Sequence, residues 1–320
     1  MDSPWSDLGR PPLHAAALRR ALTDGPSAVW REVEVLPRTA STNADALARA
    51  AAGAAEGLVV VTDHQTAGRG RLDRSWQTPP RAALAVSVLL RPGTPAAAPD
   101  GTVLDPVDAA HWSWLPLLAG VAVVDALTRT CGLPARLKWP NDVLVPRTGL
   151  PGDEPAKVCG ILAELATGPA GAAVVVGTGL NVTQTAAELP VPTATSLVMA
   201  GAAATDRETV LRAYLRALAT RYLAWRRAGG DPRGSGLGAA YREACATIGL
   251  DVTVTLPSGA VRGTAQGVDD GGRLVVADAA TGEQVTLAAG DVVHVRPSVA
   301  PGGPPGAPAA DDPAPAAGSC

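Results

Sequence analysis

The chain has 320 residues, 47% of them hydrophobic, and a formal net charge of −3, enough apolar material for a large core and a second small domain. That balance disfavours general nucleic-acid binding, and no apolar run reads as a bilayer span. The opening MDSPWSDLGRPPLHAAALRR lacks the order of a signal peptide, so a cytoplasmic protein without membrane attachment is expected.

Residues 1–34 form an Ala/Pro/Arg-rich lead with weak helical character around 13–23. Ser41-Thr42-Asn43 precedes an Ala/Leu helical run to about Ala52, and any of the three could cap it. GLVVVTD (57–63) is β-branched and predicts a buried strand, and AALAVSVLLR (82–91) predicts another. Between them lies QTAGRGRLDRSW (65–76), and residues 92–108 read as a Pro/Gly/Ala loop. A largely apolar helix is expected from about Trp114 to Thr130, then a strand into KWPNDVLV (138–145), a Pro/Gly-rich loop over 146–156, and the strands KVCGILAEL (157–165) and AAVVVGTGLNV (172–182). Thr205-Asp206-Arg207-Glu208 has capping-box spacing ahead of apolar positions at helical period, ended by Gly229-Gly230. Beyond residue 249 five short strands with turns between them suggest a small β-barrel. The connections do not repeat as βαβ, so the fold class is α+β, with a mixed or antiparallel sheet backed by helices.

The sequence contains no Phe, only two lysines, Lys138 and Lys157, and only three asparagines, Asn43, Asn141 and Asn181. In a chain that otherwise uses arginine, a remaining lysine suggests a need for a compact ammonium. The four cysteines, Cys131, Cys159, Cys245 and Cys320, form no CxxC pair and have no histidine at metal-ligand spacing, as reduced thiols would.

Three segments can carry chemistry. The glycines of GRGRLDRSW let backbone approach a ligand. Its Arg69, Arg71 and Arg74 offer planar donors for carboxylate or phosphate, and Trp76 offers a stacking face. A solvated basic loop is the plain alternative. Neither a Walker A motif nor a dinucleotide fingerprint is present, since no GK[ST] follows the loop and Val182 replaces the third glycine in VVVGTGLNV. In KWPND, Lys138 could stabilise a negative centre, and Asn141 and Asp142 could hold Mg²⁺, or the segment could be a structural turn. Asn181 could read a base edge or occupy a tight turn.

Taken in order, STN (41–43), QTAGRGRLDRSW, KWPNDVLV, KVCGILAEL and GTGLNV (177–182) resemble biotin–protein ligases, over roughly residues 35–297. The resemblance implies a catalytic domain like that of class II aminoacyl-tRNA synthetases plus an SH3-like β-barrel. It implies an N-terminal extension over 1–34, a catalytic domain over 35–247, the barrel over 248–297 and a disordered tail over 298–320. The implied substrates are biotin and ATP with Mg²⁺, and the implied partner is the biotin carboxyl carrier domain of an acyl-CoA carboxylase, with no DNA and no membrane and with a monomer or weak dimer expected.

On this resemblance Lys138, Arg69 and Arg71 are catalytic. Ser41, Thr42, Asn43, Gln65, Gly68 and Gly160 join those three at biotin. Arg74, Trp76, Asn141, Asn181 and Arg296 join them at the nucleotide, and Asp142 is the Mg²⁺ candidate. QTPPRAALAVSVLL departs from the family in lacking Gly-Asn before the strand. Residues 1–34 are too short for a winged helix-turn-helix, which argues against a biotin-sensing repressor. The complete GRGRLDRSW argues against a lipoate or octanoate ligase.

Overall fold

A computed structural model describes residues 9–24, 29–71, 74–147, 155–256, 259–288 and 290–294. Its framework is a seven-stranded mixed sheet. Strands β1 (Glu32–Leu36) and β2 (Leu58–Thr62) pair in parallel. Two small ribbons, β3 (Gly68–Arg69) with β4 (Ser75–Trp76) and β6 (Ala96–Ala97) with β7 (Val103–Leu104), flank β5 (Ala83–Leu90) in sequence. Then come β8 (Arg136–Lys138), β9 (Asp142–Val145), β10 (Ala156–Gly168) and β11 (Gly171–Asn181). The order across the sheet is β1-β2-β5-β11-β10-β9-β8, antiparallel everywhere but at β1.

All eight residues of β5 are buried because helices cover both faces of the sheet. On one face α2 (Thr42–Ala51) lays Ala46 and Ala50 against Leu58, Val60, Leu89 and Val175. On the other lie α1 (Ala15–Thr23), α3 (Trp114–Cys131) and α4 (Arg207–Arg227). Helix α3, at mean hydropathy 1.3 over 18 residues, is long and apolar enough to cross a membrane, contrary to the sequence reading. It is, however, 67% buried inside the protein, as a core helix would be. The helix α5 (Leu237–Ala244) leads to five antiparallel strands, β12 (Asp251–Leu256), β13 (Gly259–Val268), β14 (Leu274–Asp278), β15 (Gln284–Leu287) and β16 (Asp291–His294), in the order β15-β14-β13-β12-β16. This is the SH3-like unit expected.

The structure differs from the sequence reading at several points. Strand β1 begins within the lead before residue 35 and runs past its end, and Leu13, Leu18, Leu22, Trp30 and Val33 enter the main core. The loop over 92–108 contains the ribbon β6–β7, and α5 was not expected. The cap of α4 is Asp206, which accepts from the Thr209 N–H at 2.8 Å; Glu208 instead accepts from the His14 N–H and pairs with its ring. KWPND is the turn of the β8–β9 hairpin, with a cis Trp139-Pro140 bond.

The C-terminal unit docks through the turn at 269–272. The Trp114 and Trp139 indoles donate to the carbonyls of Asp270 (2.6 Å) and Gly272 (3.0 Å), and Ser113 Oγ donates to that of Gly271 (2.9 Å). One of these indoles heads the hairpin turn that borders the site described next.

Candidate active site: a glycine-floored pocket under an arginine loop

Pairing places Lys138, Asp142, Gly160, Gly179 and Ala85 in one row across β8, β9, β10, β11 and β5. Directly paired residues share a face, and this is the face covered further along by α2. The next row contains Leu162, Gly177 and Ser87, and Glu164 pairs with Val175 in the row beyond. Where Gly160, Gly177 and Gly179 leave the sheet bare, a pocket opens, walled by the N-terminus of α2 and roofed by the β3–β4 ribbon.

The deep end is polar, buried and internally bonded. Ser41 caps α2, its Oγ accepting from the Ala44 N–H at 3.3 Å. Gln65 Oε1 accepts from both the N–H and the Oγ1 of Thr42, at 3.0 and 3.2 Å. Ser87 Oγ lies 2.8 Å from Thr42 Oγ1 and 2.6 Å from Asn43 Oδ1. Gly177 makes room for this cluster, since a Cβ there would fall inside the Asn43 carboxamide. Ser41, Thr42, Asn43, Gln65 and Ser87 are each no more than 8% exposed.

The mouth is built of charges and one indole. Trp76 lies flat on the floor: a Cβ at Gly179 would be 2.5 Å from its ring, and one at Gly160 would be 3.2 Å away. Lys157 Nζ sits 5.7 Å from the Trp76 ring centre and 2.7 Å from Asp142 Oδ1, a charge contact rather than an aligned hydrogen bond. Lys157 reaches the floor because the pairing of β9 with β10 shifts register between Lys157 and Cys159. Val158 and Cys159 are both fully buried, and Lys157 and Gly160 come to share the site face. Arg69 crosses the opening to Glu164, 3.0 Å from Oε1. Burial pushes the Cys159 thiol far up, so it stays neutral.

Of the residues singled out in the sequence, Ser41, Thr42, Asn43, Gln65, Arg69, Trp76, Asn141 and Gly160 line this pocket, and Gly68 packs against Gln65 and Trp76. Arg71 lines a second cavity of about 530 Å³, bordered by Leu117, Trp139 and Gly272, which shares Asn141, Ile161 and Leu162 with the first. Arg74 is exposed on the loop, and its carbonyl accepts from the Gly70 N–H at 2.6 Å. Arg296 and the 298–320 tail lie outside the described residues.

Three further assignments acquire a structural setting. Lys138 stands on the sheet edge two strands from Gly160, in the same row and on the same face, and a second lysine, Lys157, flanks the floor itself. Asn181 is buried with its amide engaged, donating to the Thr195 carbonyl and accepting from Gln184, both at 2.9 Å. Asp142, the Mg²⁺ candidate, is the counter-ion of Lys157, and among the described residues no three His, Cys, Asp or Glu cluster to hold a metal. Ser87 and Glu164 were missed: the first sits in an all-buried strand, and the second becomes relevant only through strand pairing.

The Biotin/lipoate A/B protein ligase family profile matches residues 35–181, and that of the Biotin protein ligase C terminal domain matches 247–295. A Mycobacterium tuberculosis protein named Biotin--[acetyl-CoA-carboxylase] ligase is 44% identical over 296 residues, 91% of this chain and 98% of that one. The Bacillus subtilis Bifunctional ligase/repressor BirA is 31% identical over 70% of this chain, and the match spans 62% of that protein. Among solved structures, the Aquifex aeolicus biotin protein ligase in complex with biotin and ATP superposes with a TM-score of 0.63 at 24% identity, over 84% of this chain and 100% of that one. With both profiles in sequence order and a relative matched almost end to end, the chain belongs to the biotin/lipoate A/B protein ligase family.

Proposed function

We propose that the protein is an ATP-dependent biotin–protein ligase. The observation that carries this reading is the division of the pocket: a buried array of neutral donors and acceptors at one end, and Arg69, Lys157 and the nearby Arg71 at the other. The first suits the uncharged, hydrogen-bonding ureido ring of biotin. The second suits a carboxylate meeting a triphosphate, two anions whose approach needs fixed positive charge. The naming of the M. tuberculosis relative supports the same substrates and an acetyl-CoA carboxylase as the source of the acceptor.

In the first half-reaction a biotin carboxylate oxygen attacks the α-phosphorus of ATP. The bond from that phosphorus to the bridging oxygen breaks, and pyrophosphate leaves with the electron pair. Lys138, on the same face of the sheet, and Lys157, flanking the floor at Gly160, offset the charge at the reacting atoms, with Arg69 on the carboxylate side and Arg71 toward the second cavity. Trp76 moves off the glycines to admit biotin and then covers it, excluding water from the acyl-adenylate. In the second half-reaction the carrier's lysine amine attacks the biotinyl carbonyl, and AMP departs as the carbonyl–phosphate oxygen bond breaks. Asp142 is engaged with Lys157, and no described acidic cluster fits a resident ion. Mg²⁺ would arrive on the nucleotide, as MgATP, with Asp142 and Asn141 the oxygen-bearing residues beside the mouth that would face it.

The test is pyrophosphate release from ATP with biotin, with lipoate and with neither, followed by transfer to a purified biotin carboxyl carrier domain. Release that requires biotin, with labelling of a single carrier lysine, is expected. Release driven by lipoate and not by biotin would overturn the assignment.

A further inference from the structure

The roof of the pocket is fastened by a carboxylate that belongs to the protein. Glu164 lies on β10, on the site face. Its Oε2 accepts from Asn43 Nδ2 at 2.7 Å, so its inner side is tied to the buried deep-end network. Its outer side takes the Arg69 guanidinium, Nη2 standing 3.0 Å from Oε1 and 3.2 Å from Oε2. Glu164 is largely covered, at 23% exposure, whereas Arg69 is 51% exposed and sits on a two-residue strand of the ribbon. The anchored partner is therefore the glutamate, and the arginine can leave.

The pocket has little room over its floor in this state. The free space over the floor is about 50 Å³, against about 300–1,000 Å³ for ordinary small-molecule sites. Admitting a ligand of biotin's size calls for Trp76 to leave the floor glycines, and the ribbon that carries Trp76 also carries Arg69, so the Arg69–Glu164 contact stands in the path of that movement. A guanidinium drawn off one carboxylate is best satisfied by another in the same planar geometry.

Resting on the assignment of biotin as substrate, we propose that Glu164 is a placeholder carboxylate. It holds Arg69 over the empty pocket and yields it to the carboxylate of the incoming ligand. Glu164 is thus a positioning residue acting through Arg69, and it sets how strongly the pocket favours a carboxylate-bearing ligand over a neutral one. The exchange trades one ion pair for another, so the roof can open without leaving an unpaired cation.

The experiment compares binding of biotin and of biotinol, its primary-alcohol analogue, to the full chain by calorimetry. In Glu164→Gln the carboxamide oxygen still accepts from Asn43, but the charge competing for Arg69 is gone. Biotin affinity should rise by about two- to fivefold, the range of a part-exposed ion pair, while biotinol affinity stays within error. In an Arg69→Ala background the same change should have no effect on biotin. Equal weakening of both ligands would overturn the proposal, because it would show Glu164 acting only as a support for Asn43. A gain that persists without Arg69 would overturn it too, showing only a general negative field. Glu164→Asp, whose shorter side chain retracts from Arg69, supplies the same comparison if thermal melting shows the glutamine variant misfolded. Failure of the wild-type chain to bind biotin at all would instead refute the function proposed above.

Discussion

The deep end and the mouth of the pocket are built on opposite plans. At the deep end Ser41, Thr42, Asn43, Gln65 and Ser87 are buried and neutral, the last four bonded to one another and Ser41 to the Ala44 N–H, so each is already oriented before a ligand arrives. At the mouth Arg69, Glu164, Lys157 and Asp142 are charged and partly exposed, with each cation held by an anion that can be exchanged. Recognition of a neutral ring needs rigid geometry, because buried donors and acceptors left unpaired cost about 1–3 kcal/mol each. Assembly of anions needs cations that are stable while the site is empty and available when it fills.

The sharpest way to break this contrast is at Lys157. Lys157→Met should lower single-turnover pyrophosphate release by about 100- to 1,000-fold, the scale of losing one donor at a developing charge. Biotin affinity should change less than about threefold, since the neutral ring is held elsewhere. Equal losses in both would erase the division between the two ends.

The converse change is Thr42→Val, which keeps shape and removes the hydroxyl between Gln65 and Ser87. Biotin should bind about tenfold more weakly by calorimetry, consistent with the loss of roughly one buried hydrogen bond. Turnover at saturating biotin should stay nearly unchanged.

Asp142→Asn separates a counter-ion from a metal ligand. Adenylation should fall about fivefold as Lys157 loses its fixed position, while the Mg²⁺ concentration for half-maximal rate stays where it was; a large rise in that concentration would restore Asp142 as a ligand. Lys138→Met should also lower single-turnover adenylation, because Lys138 shares the site face with Asp142 and Gly160 and a lysine side chain on that row can extend toward the floor. A rate within about threefold of the unaltered protein, on the scale set by losing one donor at a developing charge, would take Lys138 out of the reacting centre.

What the sequence discloses follows from the range of the interaction involved. The barrel strands are legible because alternation and turn residues act within a few positions, and all five expected strands are found. The motif segments are legible as a set, and most of their residues converge on one pocket. That Lys157 joins Lys138 on the site face is not legible. A regular strand would put Lys157 and Cys159 on one face, and only the register shift against β9 turns Lys157 toward Gly160. Asn181 owes its setting to distant residues too. Its place in GTGLNV suggests a ligand contact, yet its partners Gln184 and Thr195 lie in a loop whose path a local pattern does not encode. Strand β1 escapes because EVEVL mixes charges into a short edge strand.

The joint between the two lobes governs how this protein can vary. Trp114, Trp139 and Ser113 all grip main-chain carbonyls of residues 270–272 rather than side chains. Inheritance can therefore rewrite much of the barrel's surface without loosening the joint, provided the backbone path of the turn is preserved. The constraint falls on Gly272, at φ +73°, where a side chain would also strike Leu117 2.6 Å away. Barrels from relatives should be interchangeable as cassettes when they keep that turn, and a barrel that is otherwise identical but lacks its glycine should not.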